Sequence, residues 1–305
     1  MNSDVRVADC DSDSLQWVIG QLCGDSSETK RDSSSCRVLR GADAEDVLVA
    51  RNNDSLVGAI VARHAPGRVG WLWPPIVSGS FPPDADCVQV DHQLISAALS
   101  KLTRSRVRIV QALIPTHDPG GHELIASGFI RLTEMIRMER PSDLPSINAT
   151  HSPSLEFAHF SKETRAEFLR VIERTYDGSQ DCPELDAYRS VPEVVEGYQT
   201  SDSFRPDLWN LARENARSVG CVLLMHFPEE NNCELQYMGV IPEARHRQIG
   251  RRLCSRAILD SVRIGARKLC LAVDARNRSA LRLYESLGFV ETERRTAYIL
   301  KLSDR

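Results

Sequence analysis

The chain has 305 residues, enough for about two domains, and 42% of them are hydrophobic, enough to build buried cores. The formal net charge of −4 gives no general attraction to nucleic acid or to an anionic membrane, so we expect neither as a partner. The nine cysteines form no Cys-x-x-Cys pairs, which favours reduced thiols in the cytoplasm over a disulfide framework or a metal site. We expect no signal peptide, and no stretch has the roughly 18 apolar residues of a membrane span.

The first half of the chain alternates strand and helix patterns. Apolar spacing predicts helices at 15–22, 93–102 and 122–127, and strands at 47–50, 56–62, 69–73, 106–114 and 130–138. Pro74 ends the third strand because proline cannot donate to a ladder. Residues 141–153 contain three prolines and few apolar side chains, and we interpret them as an interdomain linker.

The second half shows a similar order of patterns. It predicts helices at 162–175, 191–198, 249–264 and 277–287, and strands at 208–213, 220–227, 234–240, 268–274 and 292–302. Gly265 and Gly288 end two of the helices.

Two short matches indicate that one fold is used twice. Val57-Gly58 corresponds to Val219-Gly220 at a separation of 162 residues, and the Gly-Phe pair at 128–129 corresponds to the pair at 288–289 at 160 residues. The segment after Val77 carries two acidic residues and no Lys or Arg, so a phosphate should not bind there. We therefore predict a degenerate domain at 1–145, without a phosphate-binding loop, and a competent domain at 151–305.

The stretch 234–253 reads as a strand, a basic turn and a helix N-terminus. Pro242 stops the strand, and the turn carries Arg245 and Arg247. Backbone N–H groups and the helix dipole at such a junction attract anions. The alternative interpretation is a solvated cluster of charges.

This stretch resembles motif A of the GCN5-related N-acetyltransferase (GNAT) family, in which the turn holds the pyrophosphate of coenzyme A. The resemblance implies that the pantetheine arm lies beside the end of the strand. Gln248 stands where the family usually has glycine, and glutamine adopts a positive φ less easily. The residues that the resemblance assigns to cofactor binding here are Met238, Gly239, Val240, Arg245, His246, Arg247, Gln248, Ile249, Gly250 and Arg251.

A second stretch, 273–289, resembles motif B of the same family. The resemblance implies that Asn277 contacts coenzyme A, that Ala280 lets its arm pass, and that Tyr284 gives a proton to the departing thiolate. A phenol with a pKa near 10 is protonated at neutral pH and is nearly matched to a thiol near 8.5. Each residue also has a structural interpretation: Asn277 as a helix cap, Ala280 and Tyr284 as core residues.

An amine acceptor must lose a proton before it attacks, so a base is expected. Glu234 is the candidate, because many GNAT enzymes carry an acid at the start of this strand; an exposed strand-edge glutamate is the alternative. Other glutamates and His226 remain possible. The acidic loop at 176–186 either lines the acceptor site or is simply solvated.

The resemblance implies two tandem α/β domains, each a mostly antiparallel mixed sheet with helices on both faces, in a layout similar to that of mycothiol synthase. It implies an N-acetyltransferase that moves an acetyl group from acetyl-CoA to an amine-bearing acceptor, a small molecule or a peptide, without a metal. The alternative is a non-catalytic acyl-CoA sensor or an interaction protein on the same scaffold.

Overall fold

The computed structural model describes residues 5–23, 39, 41–53, 55–65, 67–77, 87–144, 155–185, 188 and 190–302. The chain divides into two compact units. The first comprises Met1–Leu132 together with Thr296–Arg305, and the second is Thr133–Arg295. These limits differ from the predicted boundary between 145 and 151, so the assignment of a degenerate domain and a coenzyme A domain to 1–145 and 151–305 stays a prediction.

The first unit is a mixed sheet with helices on both faces. Its strands run in the order β1-β2-β3-β4-β6, with β5 on β3, and the described pairs are antiparallel except β4 with β6. Helix α1 covers one face, and α2 and α3 cover the other. The elements are β1 (Val5–Asp9), α1 (Ser12–Cys23), β2 (Val47–Asn52), β3 (Ser55–Ala65), β4 (Val69–Leu72), β5 (Ile76–Val77), α2 (Cys87–Arg104), β6 (Ile109–Pro115) and α3 (Gly120–Ala126).

The second unit is also a mixed sheet, in the order β7-β12-β11-β10-β9-β8, with α4 and α5 on one face and α6 and α7 on the other. Strand β7 joins it from Thr133 onward, and β13 is divided between the units at Thr296. The elements are β7 (Ile130–Pro141), β8 (Glu156–His159), α4 (Arg165–Tyr176), α5 (Val191–Gln199), β9 (Phe204–Glu214), β10 (Arg217–Phe227), β11 (Asn232–Val240), α6 (Ile249–Arg263), β12 (Lys268–Asp274), α7 (Arg278–Ser286) and β13 (Val290–Lys301).

The predicted fold class is confirmed in both units. The helical stripe of α6 places Ile249, Leu253 and Ala257 in the core, as the spacing indicates, whereas Val262 at its end is 45% exposed. Strands β1, β5 and β8 were not predicted, because short or polar segments give a weak periodic signal.

Strand β7 was predicted as the last strand of the first domain, but most of it belongs to the second unit. It pairs antiparallel with β12 from Lys268↔Pro141 to Asp274↔Met135. Ile136 and Met138 alternate into the core under α6 and α7. Alternation predicts a strand but not its partner, which is why the sequence placed β7 in the other half. Pro141 is the last residue of β7, and 145–153 of the predicted linker lie outside the described residues.

The internal repeat is visible in the pairing of each unit. Gly58 of β3 pairs with Val77, as Gly220 of β10 pairs with Val240. Strand β11 is continuous up to Val240, whereas Trp73-Pro74-Pro75 separates β4 from β5 at the equivalent place. The first unit therefore lacks two backbone N–H groups that β11 retains.

Candidate functional site

Strand β11 has an open edge at its carboxyl end. Its parallel pairing with β12 runs only from Asn232↔Lys268 to Leu235↔Leu271, while its pairing with β10 continues to Val240. A bulge at Gln236 interrupts the register on β10. Residues 236–240 are all half-buried, although the β10 residues beside them are buried. The backbone groups along this edge are placed to pair with an extended ligand.

The open edge leads into the N-terminus of α6. A 3₁₀ turn, Pro242–Ala244, follows the strand, and α6 begins at Ile249. The side chain of the N-cap residue, Gln248, does not cap the helix, and the N–H of Arg252 is bonded to the carbonyl of Gln248 at 3.2 Å. The N–H groups of Ile249, Gly250 and Arg251 precede that bond, so they point out of the helix with its positive dipole end. This geometry suits an anion such as a phosphate.

Two residues of the basic turn lie in the left-handed region of the backbone. His246 has φ of 60°, and Gln248, the N-cap of α6, has φ of 61° and ψ of 9°. Gln248 therefore takes the conformation for which glycine is better suited, and the turn closes despite the side chain. The cost is on the order of 1–2 kcal/mol.

The guanidinium group of Arg245 is held by main-chain carbonyls. It donates to Val240 O at 3.1 Å, Thr175 O at 3.0 Å and Gly178 O at 3.4 Å. These bonds fasten the end of α4 to the end of β11. The side chain thus positions the turn, and only its main chain remains for the predicted cofactor contact.

Arg247 and Arg251 have exposed or half-buried side chains, each with one polar partner among the described residues. Arg247 pairs with Glu214 at 2.6 Å, and Arg251 donates to Ser286 Oγ at 2.9 Å. Arg247 is half exposed and can exchange its partner for a phosphate. The cofactor roles of His246, Arg247 and Arg251 stay predictions.

Packing requires glycine at Gly239, whereas at Gly250 a Cβ would fit with ordinary contacts. A Cβ on Gly239 would lie 2.6 Å from Oγ1 of Thr175, so the close approach of α4 requires glycine there. A Cβ on Gly250 would meet only Leu283 at 3.5 Å and Val240 at 3.9 Å, which are ordinary contacts. Met238 and Val240 pack partly against the core under α6 and α7.

The residues of α7 have clear structural roles. Asn277 caps the helix, accepting from the N–H of Ala280 at 3.2 Å, and Ala280 packs against the core. Tyr284 is 6% exposed, with its ring 5.6 Å from that of Phe289. Burial raises the pKa of the Tyr284 phenol well above its usual value, and Cys254 and Asp181 raise it further. The phenol therefore stays protonated and is a weaker acid than a thiol.

Glu234 lies on β11, immediately before the point where β11 and β12 diverge. Its side chain is 31% exposed, and Oε2 is 4.0 Å from Nη1 of Arg137. Burial raises the pKa of the Glu234 carboxyl, Arg137 lowers it, and Glu230 raises it. The raised pKa suits a base that operates near neutral pH.

The acidic loop after α4 is anchored to the carboxyl end of β12. The N–H of Asp274 donates to Asp181 Oδ1 at 3.0 Å, and the N–H of Cys182 donates to Asp274 Oδ2 at 3.1 Å. Arg276 binds Glu184 through two bonds, of 2.6 and 2.9 Å. The interpretation as a merely solvated loop is therefore incomplete.

Asp181 in this loop is exposed, yet burial among the surrounding groups raises the pKa of its carboxyl, against the bond from Asp274 N–H. Neither the anchoring role of Asp274 and Arg276 nor the proximity of Arg137 to Glu234 carries a signal in the sequence.

Within the described ranges, no three His, Cys, Asp or Glu side chains are grouped so that they could hold a metal ion. None of the described helices combines the length and apolar character needed to cross a bilayer. His226, the other proposed base, pairs with Cys233 in the β10–β11 ladder and is half-buried.

Residues 172–289 match the family model described as Acetyltransferase (GNAT) family. A mycothiol acetyltransferase from Thermomonospora curvata is 30% identical over 167 residues, which are 54% of this chain and 54% of that protein. The match thus spans about half the length of this curated relative.

Two solved structures share the fold. A GCN5-related N-acetyltransferase from Sphaerobacter thermophilus has a TM-score of 0.67 at 17% identity, covering 97% of this chain and 95% of that one. A tandem GNAT protein from the clavulanic acid biosynthesis pathway has a TM-score of 0.55 at 15% identity, covering 99% and 100%. At these identities the likeness concerns the fold alone.

Proposed function

Because residues 172–289 form a domain of the acetyltransferase (GNAT) family, we propose that this protein transfers an acyl group, with acetyl expected, from acyl-CoA to an amine by direct transfer. One observation carries the proposal: the open edge of β11 at 236–240 leads directly into the uncapped N-terminus of α6. An extended pantetheine arm and its pyrophosphate need these two features in this order.

Each part of the site has a task in the reaction. The N–H groups at the end of β11 bind the pantetheine arm and polarise the thioester carbonyl, where one lost donor typically costs about 3–4 kcal/mol. Glu234 accepts the proton of the attacking amine. Tyr284 donates a hydrogen bond, and finally a proton, to the sulfur as the C–S bond breaks. Holding both reactants in place contributes roughly 7–11 kcal/mol more.

The first unit does not take part in this chemistry in our proposal. Pro74 and Pro75 stand where β11 has Tyr237 and Met238, counted from the equivalent pairs Gly58↔Val77 and Gly220↔Val240. Proline has no N–H to offer a thioester oxygen or a pantetheine arm. This agrees with the absence of Lys and Arg from the segment that follows Val77, residues 78–87.

A non-catalytic acyl-CoA sensor is the second candidate, and the burial of Tyr284 in the core favours it. A sensor binds acetyl-CoA, but it releases no free thiol from it in the presence of amines. Thiol release with any amine therefore separates the two functions.

The first test is a calorimetric titration of the purified protein with acetyl-CoA. We expect micromolar binding, which Arg247→Ala weakens by about three- to tenfold through loss of a phosphate contact. Arg263→Ala is the matched control, because it removes the same charge at the other end of α6. Absence of binding up to millimolar concentration would refute both functions.

A further inference from the structure

The face of the second unit's sheet opposite α6 and α7 carries a pair of opposite charges. Glu234 of β11 and Arg137 of β7 point to this face, because their neighbours Leu235, Ile136 and Met138 point into the core on the other side. Nη1 of Arg137 lies 4.0 Å from Oε2 of Glu234. This distance allows attraction but is too long for a hydrogen bond.

Both charged groups retain unused hydrogen-bonding capacity. Arg137 donates from Nε to Glu139 at 3.3 Å, and among the residues described no protein atom accepts a hydrogen bond from either Nη. The carboxylate of Glu234 likewise accepts no hydrogen bond within the described chain. The side chains are 35% and 31% exposed. A guanidinium with two unused nitrogens is a ready fork for a planar carboxylate.

Space for a ligand lies beside this pair. Ala272 of β12 is directly opposite Arg137 on β7, and it follows Leu271, the last residue of β12 that is paired with β11. Ala272 is nevertheless exposed. Its neighbours Leu271 and Val273 point into the core under α6 and α7, so Ala272 points to the opposite face, and its exposure shows that this part of that face is uncovered. This uncovered part of the sheet therefore lies next to Arg137 and next to the point at which β11 and β12 diverge.

We propose that the acceptor is a free α-amino acid, whose amine binds Glu234 and whose carboxylate binds the Nη groups of Arg137. This inference rests on the proposed acyl transfer. The two groups of an α-amino acid are attached to one carbon, so they match two opposite charges 4.0 Å apart. A peptide N-terminus has no carboxylate at that carbon, and a simple amine leaves Arg137 unpaired.

The other charged groups around the pair are already engaged or are acidic. Lys268 of β12 binds Glu139 at 2.8 Å, so it is not placed to compete for the ligand carboxylate. Glu230 adds negative charge near Glu234, and Cys270 lies directly opposite Glu234 on β12. The positive end of the site is therefore Arg137.

The same arrangement accounts for transfer and release. The bound ammonium first gives one proton to Glu234, and the neutral nitrogen then forms the bond to the acyl carbon as the C–S bond breaks. Tyr284 gives its proton to the thiolate, and the second proton that leaves the nitrogen restores the phenol. Glu234 passes its proton to solvent, so one proton is released in each turnover. The amide product has no cationic nitrogen, so it loses its attraction to Glu234 while its carboxylate remains on Arg137. All α-amino acids present the same amine and carboxylate. The contacts of the amino acid's own side chain therefore decide which of them is preferred as the acceptor.

The test measures thiol release from acetyl-CoA with the twenty common α-amino acids. For each one accepted, its decarboxylated amine and its amide are assayed beside it. We expect kcat/KM for the amino acid to exceed that for both analogues by about tenfold or more, since a charged hydrogen-bond partner is lost. Arg137→Met should abolish the preference, and Arg137→Lys should keep part of it, because a lysine supplies the charge without the fork.

Lys268→Met is the matched control, because it removes the neighbouring cation on Glu139 and should leave the preference unchanged. All variants are checked for cooperative thermal unfolding, and Arg137→Lys serves where Arg137→Met does not fold. The inference is overturned if wild-type protein uses the amines or amides as well as the amino acids, while acyl transfer itself stands. If acetyl-CoA binds and no amine of any kind releases thiol, the transfer reaction fails and the inference fails with it.

Discussion

At Gln248 the backbone is left-handed, and the side chain makes that conformation unfavourable. Glycine removes the clash but gains freedom in the unfolded chain, which offsets part of the benefit. We expect Gln248→Gly to raise the free energy of unfolding by up to about 1 kcal/mol, measured by urea denaturation. Gln248→Ala is the control, because it keeps a Cβ and should give no gain. A glycine variant no more stable than the alanine variant would contradict the argument.

Substitution of Tyr284 tests its proposed role as the proton donor to the departing thiolate. Its hydroxyl is buried beside Cys254 and Asp181, and its pKa lies well above the usual value. We expect Tyr284→Phe to lower kcat by about a hundredfold, with acetyl-CoA affinity nearly unchanged, because the ring remains and only the proton donor is lost. Steady-state assays and calorimetry measure the two quantities. Unchanged kcat, with chemistry shown to limit the rate, would assign Tyr284 to the core alone.

The sequence predicted the local elements that carry the proposed site better than the contacts that each residue makes. The motif spacing brought Glu234, the turn and Asn277 to one unit, because strand, turn and helix are local patterns. It could not show that the Arg245 guanidinium is hydrogen-bonded to the carbonyls of Val240 and Thr175. Nor could it show that glycine is needed at 239 because helix α4 packs closely there. Those roles arise from tertiary contacts between residues far apart in the chain.

Among the elements, β7 shows most clearly where sequence reasoning ends. Its alternation predicted a strand, but the partner is β12, more than a hundred residues later. Apolar alternation predicts that a strand has one buried face, but it does not predict against which core that face packs. This pairing places Arg137 on the same face of the sheet as Glu234, so the sequence could not have linked the two residues.

The pairing of β7 leads to a prediction about truncation. A chain of residues 151–305 follows the predicted domain boundary but lacks β7, so β12 loses its antiparallel partner and the core loses Ile136 and Met138. We expect that fragment to show no cooperative thermal transition, because an edge of the sheet and part of the core are exposed. A chain of residues 130–305 retains β7 and is the matched control. Equal stability of the two fragments would refute a structural need for β7.

For the molecule as a whole, the first unit has a half-buried titratable group, Asp91, outside the proposed site. Burial, with Glu123 nearby, raises the pKa of the Asp91 carboxyl to about 7. Its unfolded pKa is near 3.9. Between about pH 4 and pH 7 the folded state therefore binds more protons than the unfolded state, and stability falls as pH rises.

Asp91→Asn removes this dependence, because the amide has the same size and no charge. We expect the variant to be more stable than the parent at pH 8, by about 2–4 kcal/mol for the first unit, and nearly equal to it at pH 4, where the parent carboxyl is protonated in the folded state and about half protonated in the unfolded state. Thermal unfolding across that range measures the difference. The two units need not unfold together, so the transition of the first unit is followed with acetyl-CoA present to hold the second. A constant difference across this pH range would show that Asp91 is charged in the folded protein at pH 4 as well as at pH 8.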